Sequence, residues 1–170
     1  ITEQIKYVDE DKIGTDATAE EIFDTAFGKN GDQYSISSDY KSGTVTLTRE
    51  IITEEATGIQ TYGDWTISSG FSAVNNPDLA GYKIDASKIY EQFMGAVSAL
   101  ASTSADSVGS VQADALLKSA DDIADGAVLQ IVVPYKQNIS VSQETKTLSE
   151  QIKYVDEDKI GSDSTAEKIF

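Results

Sequence analysis

Asp9, Asp11, Asp16 and Glu20 occupy positions 1, 3, 8 and 12 of a twelve-residue frame whose sixth position is Gly14. Calcium is held by several carboxylate oxygens converging around a sharp glycine turn, and this spacing offers both. Position 5 is Ile13, which has no side-chain oxygen, and nothing before the frame reads as a helix. The same residues also make a solvated acidic turn leading into a capped helix. Calcium is therefore an optional ligand in this reading and no cofactor is required. The frame recurs as Asp156, Asp158, Gly161, Asp163 and Glu167.

Tyr62, Trp65 and Tyr82 form a second group. Aromatic faces pack well against the C–H faces of sugar rings, which would make these three a glycan platform. Their places in alternating strands favour packing in or beside the core over that role. Glu54/Glu55 and Asp121/Asp122 are carboxylate pairs of the kind that cleave glycosidic bonds. Adjacent acids on turns and helix faces ordinarily supply only solubilising charge, and no cleft is foreseen around them. The chain has neither histidine nor cysteine. That removes the commonest general base, the thiolate and imidazole metal ligands, and the Ser-His and Cys-His nucleophile pairs. No phosphate-loop spacing occurs. We expect no catalytic residue and no enzyme.

The elements that would position these groups follow from periodicity. Gln4–Asp9 reads as a strand ending in the acidic turn. Thr18 is an N-cap before Glu20 and Glu21, and the helix it opens buries Ile22, Phe23 and Phe27 and stops at Gly28. Thr44–Ile51 alternates with period two, Glu54–Gly58 is a turn, and Gln60–Ile67 returns as its hairpin partner, with Arg49 interrupting the apolar face. Phe71–Val74 and Leu79–Ile84 are short extended segments. Ile89, Phe93, Val97 and Leu100 predict a helix of about four turns from Ser87. Ala113–Ala124 predicts a second helix, with Leu116, Leu117, Ala120 and Ile123 inward. Ala127–Val133 is nearly continuous apolar, as in a strand buried on both faces. Residues 137–146 are a polar link. The sum is an α+β fold: a mixed sheet of about five strands with two or three helices.

Residues 3–23 return at 150–170 with 18 identities in 21 positions, an offset of 147. The chain therefore reads as one complete repeat unit, 1–147, carrying a helical insertion over about 87–125, followed by the first segment of the next unit, 148–170. Arrays of near-identical units give length or many weak contacts in parallel. Against 13 basic residues stand 29 acidic ones, a net charge of −16. That sign disfavours nucleic acid and anionic lipid surfaces as partners. No apolar run is long enough to span a bilayer. Neither a signal peptide nor an anchor is evident, as expected of a piece from within a longer chain.

Several pieces in order resemble a known family. They are Ile5-x-Tyr7-Val8-Asp9, Thr44-Val45-Thr46-Leu47-Thr48-Arg49, Ala56-Thr57-Gly58 and Tyr62-Gly63-Asp64-Trp65-Thr66. Phe71-Ser72-Ala73-Val74, Pro77-Asp78-Leu79-Ala80-Gly81-Tyr82 and Val132-Val133-Pro134-Tyr135 follow. This order is similar to the Mub repeats, related to MucBP units, of the mucus-binding adhesins of lactobacilli and related Gram-positive bacteria. The resemblance implies an elongated β-grasp-like (ubiquitin-like) unit of an extracellular, cell-wall-anchored surface protein. It also implies adhesion to host mucin glycoproteins, with immunoglobulin binding in some units, and neighbouring repeats as partners in the same chain. Two stretches depart from the compact form of the motif, 24–43 and the insertion over 87–125. The rival reading is a passive stalk repeat that projects a distal binding domain.

Overall fold

The computed structural model describes residues 1–14, 16–37, 41–94 and 101–160, and divides into two units, Ile1–Ile139 and Ser140–Phe170. In the first unit the chain runs through β1 (Thr2–Asp9), α1 (Glu10–Ile13), α2 (Ala19–Phe27), β2 (Lys41–Thr44), β3 (Leu47–Thr48), β4 (Ile51–Thr53) and β5 (Gln60–Tyr62). It continues through β6 (Thr66–Ile67), β7 (Val74–Asn75), β8 (Tyr82–Ile84), β9 (Tyr90–Met94), β10 (Ser107–Val108), α3 (Ala113–Lys118) and β11 (Val128–Gln137).

One mixed five-stranded sheet organises the unit, in the order β2-β1-β11-β8, with β9 also on β11. β1 and β11 run parallel from Thr2 opposite Val128 to Asp9 opposite Tyr135, while β2, β8 and β9 are antiparallel to their neighbours. Alternation sends Ile5, Tyr7, Leu129, Ile131, Val133 and Tyr135 to one face, where they pack with Phe71, Val108 and Leu116. Val8 and Val132 point to the other face, which α2 covers with Ile22, Phe23 and Ala26. Both faces of β11 are thus buried, as its unbroken apolar run implies. Tyr7 and Tyr135 meet edge-on, 6.1 Å between centroids, and the Tyr135 hydroxyl donates to the Pro77 carbonyl at 2.6 Å. Burial, with Tyr7 and Asp78 nearby, pushes its pKa up to about 12, so it remains a donor.

Local chemistry sets the ends of α2. The Thr18 hydroxyl accepts from the Glu21 amide and the Glu21 carboxylate accepts from the Thr18 amide, a reciprocal capping box. At the far end of β8, Asp85 accepts from Lys136 of β11 at 2.8 Å and from Ser87, which hold its carboxyl down to about 2.

Glu3 is the anomaly of the core. It lies on β1, 3 % exposed, and its Oε2 has no hydrogen-bond partner among the described residues. Gly109 (φ +83) backs onto it so closely that a Cβ there would stand 2.5 Å from that oxygen. Burial raises the Glu3 pKa to about 7.

The structure corrects one helix. Tyr90–Met94 is strand β9, paired along Val128–Val132, and residues 95–100 of the expected helix lie outside the described residues. Because the sheet is covered on both faces, Phe93 packs into one cluster and Tyr90 into the other. Apolar residues on both sides of a strand erase its period of two, and Ile89 with Phe93 then mimics a helical stripe. The second expected helix is present but short, since α3 ends at Lys118 and a 3₁₀ turn spans Ala120–Asp122; Leu116 and Ala120 are buried as foreseen. Three α-helices are present among the described residues, so the α+β class holds.

In the second unit, Ser140–Phe170, no strand occurs among the described residues. A 3₁₀ turn at Glu157–Lys159 is capped by Asp156, which accepts from the Asp158 amide at 3.2 Å.

Candidate functional site

Residues 47–67 form the expected hairpin, but in two ladders. Leu47 and Thr48 face Ile67 and Thr66, and Ile51–Thr53 face Tyr62–Gln60. Between the ladders Arg49 and Glu50 stand against Gly63, Asp64 and Trp65, so the returning strand carries one extra residue. Such a bulge re-aims side chains and bends the ribbon. The Gly63 amide bonds back to the Glu50 carbonyl at 2.9 Å and closes it.

The bulge gathers an aromatic cluster around one cation. The Arg49 guanidinium carbon lies 4.4 Å from the centroid of the Tyr62 ring and 4.4 Å from that of Trp65. A cation over a ring face is held by the ring quadrupole. Asp121, from the 3₁₀ turn after α3, accepts from Trp65 Nε1 at 2.8 Å and from Arg49 Nη1 at 3.3 Å. One carboxylate thus fixes both the indole and the guanidinium, and it ties the hairpin to the helical side of the unit. Beyond the cluster the ribbon is open to solvent, with Ile51, Ile52, Ile59 and Tyr62 all at least half exposed. The Tyr62 hydroxyl donates to Gln60 at 2.8 Å. Beside Trp65 runs an open groove of about 410 Å³ with an apolar floor of Val45, Leu47, Ala120 and Ile123 and a rim that includes Thr44 and Thr46.

The sequence-selected residues divide accordingly. Tyr62 and Trp65 come together through Arg49; Tyr62 is 50 % exposed, which overturns core packing for it, and Trp65 is half-buried. Tyr82 lies apart on β8, packed against the main core as expected. Arg49 read as an interruption and Asp121 as solubilising charge, yet both orient the rings. An arginine set between an aromatic strand and its partner was the available signal for the first. Nothing local pointed to Asp121, which lies 72 residues from Arg49.

The acidic frame is split between elements: Asp11 lies in α1, Glu20 in the first turn of α2 and Asp16 in the link between them. Asp9 caps α1, accepting from the Asp11 amide at 3.2 Å with Lys12 at 3.9 Å, while Asp11, Asp16 and Glu20 are exposed. Among the described residues no group of three or more carboxylates is placed to hold a metal ion. Glu10 instead accepts from Lys88 at 2.6 Å. No helix of the described residues is long and apolar enough to cross a membrane.

The hairpin, the bulge and their aromatic cluster fall inside residues 1–115, the stretch matched by the family model of the Muc B2-like domain. The chain belongs to that family. No curated protein and no solved structure matches it. A Muc B2-like chain is a mucus-binding-type repeat of an extracellular surface protein, and its family is not one of enzymes. The matched stretch ends inside α3 and leaves out β11, the strand on which β1, β8 and β9 all pair.

Proposed function

We propose that this Muc B2-like chain is a repeat module of a Gram-positive cell-wall-anchored adhesin, with one unit at 1–147 and the opening of the next at 148–170, and that it binds mucin glycoproteins through tandem copies. The observation that carries this reading is the aromatic pair of half-exposed Tyr62 and partly buried Trp65, oriented by Arg49 and Asp121. Rings already fixed in place lose little freedom on meeting a sugar, and Thr44 and Thr46 offer hydroxyls beside the groove. One such edge binds weakly, and repetition along an array multiplies it. Immunoglobulin binding belongs to the same reading as a second glycoprotein partner. A β-grasp-like arrangement is supported by parallel first and last strands at the sheet centre.

The test is adhesion of the chain to immobilised mucin, before and after Trp65→Ala and Tyr62→Ala. We expect each to weaken binding about tenfold, the loss of one aromatic anchor. Undiminished binding in both variants rejects the site, and no binding by the parent chain favours the passive stalk repeat. Chelator in the same assay addresses calcium: loss of binding would return Asp9, Asp11, Asp16 and Glu20 to consideration as ligands.

A further inference from the structure

The first unit receives the chain at the start of β1 and returns it at the end of β11, and these strands lie side by side and parallel in the middle of the sheet. Thr2 stands opposite Val128 and Asp9 opposite Tyr135, so entry and exit are at opposite ends of one ladder. Tension along the chain therefore pulls β1 and β11 in opposite directions along their shared axis. All bonds of the ladder are loaded together, whereas a strand peeled from its end loses them one after another. We propose that the β1–β11 ladder is a load-bearing clamp, which gives the unit a mechanical function: to stay folded while tension passes from one repeat to the next. This goes beyond the adhesive reading and needs no ligand.

Three features carry the proposal. First, the ladder is dry. Ile5, Val8, Leu129, Ile131, Val132 and Val133 are 0–1 % exposed, so water is kept from competing for the bonds as they stretch. Second, both loaded strands are held on their outer sides. β1 is held by β2 along Thr2–Ile5, and further on by the Asp9 amide to the Tyr34 carbonyl and the Ile36 amide to the Tyr7 carbonyl, both at 3.0 Å. β11 is held by β9 along Val128–Val132 and by β8 along Tyr135–Gln137. The edges of the sheet, β2 and β8/β9, thus lie off the load path. Third, residues 150–156 repeat residues 3–9 after the polar link, so the next unit opens on the same first-strand sequence.

The absence of cysteine lets a single introduced thiol fix the point of pulling. In single-molecule force spectroscopy on the 170-residue chain, one handle is fused ahead of Ile1 and the second is attached at Ser140→Cys or at Asp125→Cys. The first geometry shears the ladder; the second, beside the Thr2–Val128 end, peels it. Both positions are exposed, so urea unfolding of the two variants should match that of the parent. Ile139→Cys and Ala124→Cys serve the same two ends if either variant is destabilised. Shear is expected to need at least about twice the rupture force of peeling at equal loading rate, because the ladder's bonds then share the load. Equal force in the two geometries, or less in shear, overturns the clamp. Mucin adhesion is measured separately on the parent chain and on Ser140→Cys, which lies outside the groove: adhesion without the force asymmetry removes the clamp and leaves the adhesive reading standing, and asymmetry without adhesion does the reverse.

Discussion

Residues 3–9 and 150–156 are the same seven amino acids, Glu-Gln-Ile-Lys-Tyr-Val-Asp, in two settings. In the first, Ile5, Tyr7 and Val8 are at most 1 % exposed within a strand; in the second, Ile152 is 67 % and Tyr154 94 % exposed and no strand forms. The turn that follows behaves differently. Asp9 and Asp156 each cap a short helical turn and accept from the amide two residues on, at 3.2 Å in both cases. A capping turn is decided by its own side chains, so it forms wherever the sequence occurs. A strand is decided by its neighbours, and β1 exists because β11 stands beside it.

Removing that neighbour should make the first copy behave like the second. Ile131→Asp places an unpaired charge in the β11 core and is expected to cost more than about 4 kcal/mol, enough to unfold the unit, as read by urea denaturation and by hydrogen exchange across residues 2–9. Ile152→Asp, its control in the exposed copy, should move stability by less than about 0.5 kcal/mol.

Proton uptake gives the next effect. The folded state raises the Glu3 pKa from 4.5 to about 7, so the unfolded chain ionises this carboxyl first as pH rises. Stability is then highest below pH 4.5 as far as this group is concerned, and it falls between pH 4.5 and 7 by on the order of 2 kcal/mol. Glu3→Gln should flatten that fall in thermal melts taken across the window, while Glu150→Gln should leave it intact. A profile that keeps its slope in Glu3→Gln would assign the dependence elsewhere.

Two smaller effects separate local from distant support. Tyr135→Phe removes the hydroxyl bond to Pro77 at the end of the β1–β11 ladder and should cost about 1 kcal/mol by urea unfolding. Thr18→Ala removes the cap of α2 and should also cost about 1 kcal/mol. Position 21 allows a finer comparison. The second copy carries Lys168 where the first has Glu21, and a lysine has no oxygen to accept from the cap amide. Glu21→Lys should therefore weaken α2 less than Thr18→Ala does, since the threonine hydroxyl still accepts.

The same division explains what the amino-acid order revealed. The cap at Thr18, the stop at Gly28, the turn at Glu54–Gly58 and the buried run of β11 rest on neighbours in sequence, and all were legible. The strand at Tyr90–Met94 was not, because its two buried faces belong to different clusters and leave no clean period. Tyr62 and Trp65 were recognisable as ring surfaces. Their gathering around Arg49 depends on a one-residue bulge and on Asp121 from a distant turn, and neither leaves a mark in local spacing. The acidic frame shows how spacing divides among elements: Asp9 caps α1, Asp11 lies within it, and Glu20 falls in the first turn of α2.

Gln4 and Gln130 bond across the central ladder over 126 positions of chain. On the ribosome, the first strand must therefore wait until nearly the whole unit has been made before its partner emerges. Contacts so far apart in sequence make for slow closure, and an unpaired strand is adhesive while it waits. The nascent protein is thus most exposed to misassembly just before its final strand appears, when the first strand of one copy and that of another are chemically indistinguishable over seven residues.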